Sequence, residues 1–137
     1  MRKKRIYLSG NMTPDPKIYT EWTIDFQIAL DHVEDYEISR STGTIGETPR
    51  FIVRHDLARL SRCDILVVNL GVMNQFVHLT GLVVEVYEAY RMGIPVYAFT
   101  EGMRSPQADS PWISEFITKE FPNKNALLDF LMYEDNL

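Results

Sequence analysis

Two acidic residues stand in settings where a carboxylate could take part in chemistry. Glu85 lies in the apolar run GLVVEVYEAY, shortly after Gly81. A carboxylate on the first turns of a helix is favoured in its ionised form and can be held near reacting atoms. Burial without a partner would cost it free energy, however. Composition alone therefore favours the alternative that Glu85 faces solvent beside Glu88, one turn on.

Asp56 is the second candidate, in the segment RHDLARLSRCD that precedes a strongly apolar run. A solvent-facing aspartate between Arg54 and Arg59 is the commoner arrangement for such a residue. The chemical alternative is an acidic group on the helix before the central strand. The residues alone leave both alternatives open.

Other catalytic and metal-binding patterns are missing from the sequence. His55 and His78 have no partner at metal-ligand spacing, so we expect no metal site. There is no glycine-rich phosphate loop of the GxxxxGK or GxGxxG kind and no nucleophilic serine motif. Cys63 is the single cysteine, which excludes an internal disulfide. Its place before an apolar run indicates a buried small hydrophobic residue rather than a nucleophile.

The composition is that of an ordinary globular chain. With 137 residues, 45% of them hydrophobic and 24% charged, we expect a single domain over 1–137. The formal net charge of −5 disfavours nonspecific binding to nucleic acid. No stretch approaches the length of a membrane span and the N-terminus lacks a signal-peptide apolar segment. We therefore expect no membrane partner and, by default, a cytoplasmic location.

The segments that must position these residues alternate in type. Short apolar runs predict the strands RIYLSG, YEIS, DILVVNL and IPVYAFT. Helical spacing and capping residues predict helices in 19–33, RFIVRHDLARLSRC, GLVVEVYEAYRMG, PWISEFITKEF and NKNALLDFLMY. This order predicts an α/β fold with a mainly parallel sheet and helices on both faces.

Open parallel sheets bind ligands beyond the carboxyl ends of their strands. In this chain the predicted ends are Ser9-Gly10, Asn69-Leu70 and Thr100-Glu101. We therefore expect a ligand site at this edge of the sheet.

Three segments, in order, resemble the nucleoside 2-deoxyribosyltransferase family, including its relatives that hydrolyse deoxynucleoside monophosphates. IYLSGNMT is similar to the family's first strand and loop, and RHDLARLSRCDILVVNL to its aspartate-bearing helix and following strand. TGLVVEVYEAYRMGIPV is similar to its glycine, nucleophilic glutamate, alanine and GxPV ending. The resemblance covers most of residues 5–97. It implies a flavodoxin-like, doubly wound fold. It also implies an enzyme that needs no cofactor and acts on the N-glycosidic bond of 2′-deoxynucleosides or their 5′-monophosphates.

The resemblance also implies roles for single residues. Glu85 matches the nucleophile that forms a covalent bond to C1′ of the deoxyribose, and Tyr7 matches the tyrosine that hydrogen-bonds it. Asp56 matches the acid that assists proton transfer to the leaving base. These roles suit the chemistry, because cleavage builds oxocarbenium character that a carboxylate can trap. The implied substrate-binding residues are Ser9, Gly10, Asn11, Asn69, Thr80 and Gly81.

One position departs from the family pattern. Leu79 stands six residues before Glu85, where the family usually carries an aspartate or a serine. The partner of the 5′-hydroxyl or 5′-phosphate is therefore unassigned, with Thr80 and His78 as alternatives. This departure leaves room for an alternative function, a non-catalytic nucleotide-binding domain of the same fold.

The helix that carries Glu85 also bears on the state of assembly. GLVVEVYEAYRMG offers apolar residues on more than one helical face, whereas a surface helix needs only one. This pattern predicts a homodimer or a higher homo-oligomer, or a third function class, an interaction protein that uses this helix. The family's members complete their sites with a neighbouring subunit, and Trp112 and Phe116 are the candidates to reach one.

Overall fold

The strands that the structure describes form one sheet of five, in which all neighbouring strands run parallel. The structure, a computed structural model, describes residues 3–10, 16–31, 33, 35–40, 48–71, 80–101 and 106–134. The strands are β1 (Lys4–Gly10), β2 (Tyr36–Arg40), β3 (Ile65–Asn69), β4 (Val96–Phe99) and β5 (Lys119–Glu120). Their spatial order is β2-β1-β3-β4-β5, the flavodoxin-like order of a doubly wound sheet.

Five helices connect or follow these strands in the described part of the chain. They are α1 (Pro16–Asp31), α2 (Pro49–Leu60), α3 (Thr80–Arg91), α4 (Pro111–Ser114) and α5 (Lys124–Asp129). A 3₁₀ turn (Pro106–Asp109) precedes α4, and a π-helical turn (Phe130–Glu134) extends α5.

Local sequence explains where two of the helices begin or end. Thr48 caps α2, because its hydroxyl accepts a hydrogen bond from the Phe51 N–H at 3.2 Å, and Pro49 fills the first helical position. Gly93 follows the end of α3 with a φ of 74°, a left-handed conformation that glycine adopts without steric cost. The chain can therefore turn at once into β4.

Helices cover both faces of the sheet, and each face has its own apolar core. The first core lies on the face that α2, α3 and α4 cover; its members include Tyr7, Leu60, Leu66, Val68, Leu82, Val86, Ala98 and Ile113. The second lies on the face that α1 and α5 cover; its members include Ile6, Leu8, Trp22, Phe26, Val67, Phe99, Phe121 and Leu127. β3 and β4 are buried throughout, as strands covered on both faces require. The predicted fold class is confirmed.

The segment that begins at Pro111 differs from its prediction. The pattern PWISEFITKEF predicts one helix, but α4 ends at Ser114 and the chain then extends as β5 beside β4. Burial explains the difference, because Ile113 packs into the first core and Phe121 into the second. An extended strand at the sheet edge carries the chain from one face to the other, which a single helix could not do.

Candidate active site

The carboxyl ends of β1 and β3 lie side by side at the point where the strand order reverses. From β1 the chain goes to β2 on one side of the sheet and then returns to β3 on the other. Gly10 and Asn69 are register partners at these two ends. Doubly wound folds bind their ligands in the crevice at this switch point. The predicted strand-end residues Ser9, Gly10 and Asn69 therefore meet in the expected place.

Glu85 projects from α3 toward this region with its carboxyl group turned inward. The residue is half-buried, and its Oε2 atom has almost no exposed surface. Leu82 and Ala89, three residues before it and four after it, are both buried, so Glu85 shares the core-facing side of the helix. The alternative that Glu85 faces solvent is therefore wrong. Glu88 does lie at the surface and pairs with Arg91 at 2.8 Å.

Two hydroxyl groups on β1 reach the Glu85 carboxyl. The Ser9 hydroxyl donates a hydrogen bond to Oε1 at 3.1 Å. Tyr7, which is fully buried, interacts with the same carboxyl and lowers its pKa. Alternate residues of a strand point to the same face, so Tyr7 and Ser9 both face α3. The geometry brings the predicted tyrosine and the predicted nucleophile together.

Burial dominates the ionisation of Glu85. Desolvation raises the pKa of its carboxyl from the ordinary value of 4.5 to about 7. Hydrogen bonds from Tyr7 and Ser9 lower that pKa, and the negative charge of Asp56 raises it. A carboxyl with a pKa near 7 is about half ionised at neutral pH. Such shifts are typical of functional sites, where environment tunes an acid or base to its task.

Asp56 lies on α2, which packs against α3. Its side chain is half-buried, and its charge acts on Glu85. The two predicted carboxylates therefore lie near each other in space although they are 29 positions apart in the chain.

Asn69 joins the ends of two strands. Its side-chain oxygen accepts hydrogen bonds from the backbone N–H groups of Gly71 at 2.8 Å and of Glu101 at 3.1 Å. Gly71 also lies so close to Glu101 that a Cβ on Gly71 would stand 1.9 Å from the carbonyl oxygen. The Asn69 side-chain nitrogen is buried, and none of the described residues accepts a hydrogen bond from it. Asn69 thus has a clear structural task as well as an unused donor.

The remaining predicted binding residues are less defined. A Cβ added to Gly81 would meet no atom of the described residues within 4 Å, so no contact with them requires a glycine there. Asn11, His78 and Leu79 lie outside the described residues, as does the side chain of Thr80. Their predicted places in the site stay predictions.

The site edge also contains an ion-pair cluster that sequence reasoning missed. Lys124, at the start of α5, donates to the Glu101 carboxylate at 2.9 Å and to the Asp25 carboxylate of α1. These residues are far apart in the chain, and no local pattern signals their contact. The cluster ties both helices of one face to the carboxyl end of β4.

Cys63 is buried, as its pattern predicts. Its thiol donates to the Arg59 carbonyl at 3.3 Å, and burial raises the thiol pKa to about 11. A thiol with so high a pKa is a poor nucleophile. In the described part of the chain, no three His, Cys, Asp or Glu side chains group as metal ligands. No helix there has the length and apolar composition for a membrane crossing.

Comparison with protein-family models gave no match, and neither did comparison with curated proteins. Comparison with solved structures did. A 2-deoxyribosyltransferase from Leishmania mexicana is similar at 15% identity and a TM-score of 0.74, over 96% of this chain and 99% of that one. A 2-deoxyribosyltransferase from Bacillus psychrosaccharolyticus is similar at 17% identity and a TM-score of 0.69, over 91% and 90%.

A third similar structure is a CMP N-glycosidase from Clostridium botulinum, at 16% identity and a TM-score of 0.63. The match covers 93% of this chain and 97% of that one. At identities this low, the structural similarity establishes the fold alone. The fold agrees with the resemblance that the three sequence segments carry. The chain therefore has the fold of the 2-deoxyribosyltransferases and of this N-glycosidase over nearly its whole length.

Proposed function

We propose that the protein cleaves or transfers the N-glycosidic bond of 2′-deoxynucleosides or deoxynucleoside 5′-monophosphates through a covalent glycosyl-Glu85 intermediate. One observation carries the proposal: a buried carboxyl group, held by the Ser9 hydroxyl of β1 and influenced by Tyr7, at the switch point of a doubly wound sheet. The similar solved structures support the reaction class, since they are transferases and a glycosidase of this type.

The first step forms the intermediate. A carboxylate oxygen of Glu85 bonds to C1′ while the bond between C1′ and the base nitrogen breaks, and its electron pair leaves with the base. Asp56 passes a proton from solvent to the base nitrogen as the bond breaks, which lets the base depart as a neutral molecule. The Tyr7 hydroxyl holds the carboxyl in the orientation for attack.

The second step releases the sugar. Water, or a nitrogen of a second base, bonds to C1′, and the bond between C1′ and Glu85 breaks with its electron pair returning to the carboxylate. The acceptor gives its proton to Asp56, which passes it to solvent, and both acidic groups return to their starting state. Hydrolysis and transfer thus share one site and differ only in the acceptor.

Release of free base tests the function directly. The purified protein is incubated with the four 2′-deoxynucleosides and, separately, with their 5′-monophosphates, and free base is measured by chromatography. A second set with an added acceptor base distinguishes transfer from hydrolysis. We expect base release from at least one substrate. Tight binding without any release would instead support the alternative of a non-catalytic nucleotide-binding domain.

We further propose that the active protein is a homodimer or a higher homo-oligomer. Val84, Tyr87 and Tyr90 lie exposed on α3, on the side away from the buried Leu82 and Val86. Trp112 of α4, a helix that contacts α3, is 74% exposed. Phe116, in contrast, packs on the rings of Tyr87 and Tyr90 of its own chain. Adjoining exposed aromatic side chains are typical of protein interfaces.

The oligomer makes a testable prediction. Light scattering at micromolar concentration should give at least twice the mass of one chain, and Tyr90→Glu should lower it toward one chain by placing a charge in the interface. Ile28→Glu is the matched control, because Ile28 is 61% exposed but lies on α1, on the other face of the sheet. A one-chain mass for the unmodified protein would contradict the proposal.

A further inference from the structure

Ser9 lies at the centre of the site but is closed off from solvent. It is the residue before the end of β1, and its side chain is on the α3 face of the sheet. Only 3% of its surface is exposed. It shares this burial with the Oε2 atom of Glu85, so Ser9 and the carboxyl lie together in one desolvated position.

The hydroxyl of Ser9 is also already in use. A serine hydroxyl has one hydrogen to donate, and that hydrogen goes to Oε1 of Glu85 at 3.1 Å. To donate to a substrate, Ser9 would have to release a buried carboxylate. Releasing it would leave that carboxylate with one hydrogen bond fewer in a desolvated position, which is unfavourable.

The hydrogen bond makes the two oxygens of Glu85 unequal. Oε1 is held by Ser9, whereas Oε2 is buried and has no hydrogen bond of good geometry from a described residue. A lone pair already engaged in a hydrogen bond is the poorer nucleophile, so Oε2 is the oxygen left to react.

We propose that Ser9 is a positioning residue for Glu85 and not a ligand of the substrate: its hydroxyl holds Oε1 and leaves Oε2 as the oxygen that bonds to C1′. The reactive step rests on the proposed function, while the hold of Ser9 on the carboxyl does not. The assignment replaces the sequence-based prediction that Ser9 binds substrate.

Few other titratable or charged groups of the described residues act on Glu85, which makes the effect of Ser9 measurable. From β1 the titratable group that faces Glu85 is Tyr7, and from α2 the charged group that acts on it is Asp56. β3 and α4 contain no ionisable side chain, and the one in β4, Tyr97, belongs to the core on the opposite face. A change in the pKa of Glu85 on substitution of Ser9 can therefore be attributed to the lost hydrogen bond.

A titration of the Glu85 carboxyl by carbon NMR tests the assignment, with Glu85→Gln to identify its signal. The unmodified protein, Ser9→Cys and Ser9→Ala form a series in which the hydrogen-bond donor at position 9 becomes weaker, since a thiol is a weak donor and a methyl group is none. We expect Ser9→Ala to move the midpoint up by about one pH unit and Ser9→Cys to fall between. Ser61→Ala is the control, because the Ser61 hydroxyl donates to the Ala58 carbonyl at the surface.

Base-release kinetics complete the test. Ser9→Ala should lower kcat at pH 7 by about tenfold with KM nearly unchanged, and kcat should recover in part above the new midpoint. A raised KM with an unmoved midpoint would overturn the assignment and make Ser9 a substrate ligand; an unmoved midpoint with unmoved kinetics would make its role purely structural. If no variant and no wild-type protein releases base, the proposed function fails, yet the titration still decides whether Ser9 holds Glu85.

Discussion

Glu85→Gln should lower base release by a factor of about a thousand or more, since loss of a covalent nucleophile typically has effects of this size or larger. Glutamine keeps the shape of the side chain and an oxygen that accepts from Ser9, so the hydrogen bond at 3.1 Å can persist. What it lacks is the negative charge that attacks C1′. Chromatography of free base, under the conditions that give turnover in the unmodified protein, measures the loss.

The same substitution should make the protein more stable at alkaline pH. The pKa of Glu85 is about 7 in the folded protein and 4.5 is its ordinary value, so the folded state binds the proton more tightly than the unfolded state does. The free energy of unfolding therefore falls as pH rises from about 4.5 to 7, by on the order of 3 kcal/mol for this group. Glu85→Gln removes this pH-dependent loss. Denaturant unfolding at pH 4.5 and pH 8 should show the gain only at pH 8.

Glu88→Gln is the matched control for both effects. Glu88 lies on the same helix three residues on, but it pairs with Arg91 at the surface. We expect turnover close to that of the unmodified protein and no stabilisation at pH 8. Retained turnover in Glu85→Gln, with an unchanged circular dichroism spectrum, would end the proposed mechanism.

The rate of base release should rise with pH through a midpoint near 7. Attack on C1′ needs the ionised carboxylate, and burial raises the pKa of Glu85 to about 7, against the lowering effect of Tyr7 and Ser9. Below the midpoint the ionised fraction falls tenfold for each pH unit, so the rate at pH 5 should be about a hundredth of its plateau. An ordinary surface glutamate would leave the rate flat over this range.

The choice of substrate keeps this pH profile interpretable. A nucleoside monophosphate titrates near pH 6 by itself, which would distort the profile, so the nucleosides are the better probes. The charge of Asp56 provides an internal check on the pH profile. Asp56→Asn removes this neighbouring negative charge and should therefore lower the pKa of Glu85. A profile without a midpoint between pH 6 and 8 would contradict the proposed state of Glu85.

The fold was predictable because its signals are local. DILVVNL is apolar enough to mark a doubly covered strand, and GLVVEVYEAYRMG carries both helical spacing and its closing glycine. β5 was missed because two residues at an edge leave no periodic pattern, and only the burial of Ile113 and Phe121 on opposite faces accounts for it. Short edge strands depend on tertiary packing that a local window does not contain.

The site was predictable in part. For Glu85, helical spacing is a stronger signal of burial than composition is. Composition favours an exposed Glu85, but its spacing from Leu82 and Ala89 places it on the buried side of α3. Its roles, and those of Asp56 and Tyr7, came from the resemblance, whereas the hold of Ser9 on Oε1 is visible only in three dimensions. Contacts between residues 76 positions apart have no signature in one sequence.

The double hydrogen bond of Asn69 has a consequence for how this protein can change over generations. Its side-chain oxygen anchors the backbone of Gly71 and of Glu101, so the segments that follow β3 and β4 both depart from fixed points. Insertions or exchanges beyond those points leave the anchors, the strands and Glu85 in place, since longer surface connections cost little free energy. Under the proposed function, new substrate preferences can thus be acquired by altering the connections alone, while the frame that holds Glu85 is inherited unchanged.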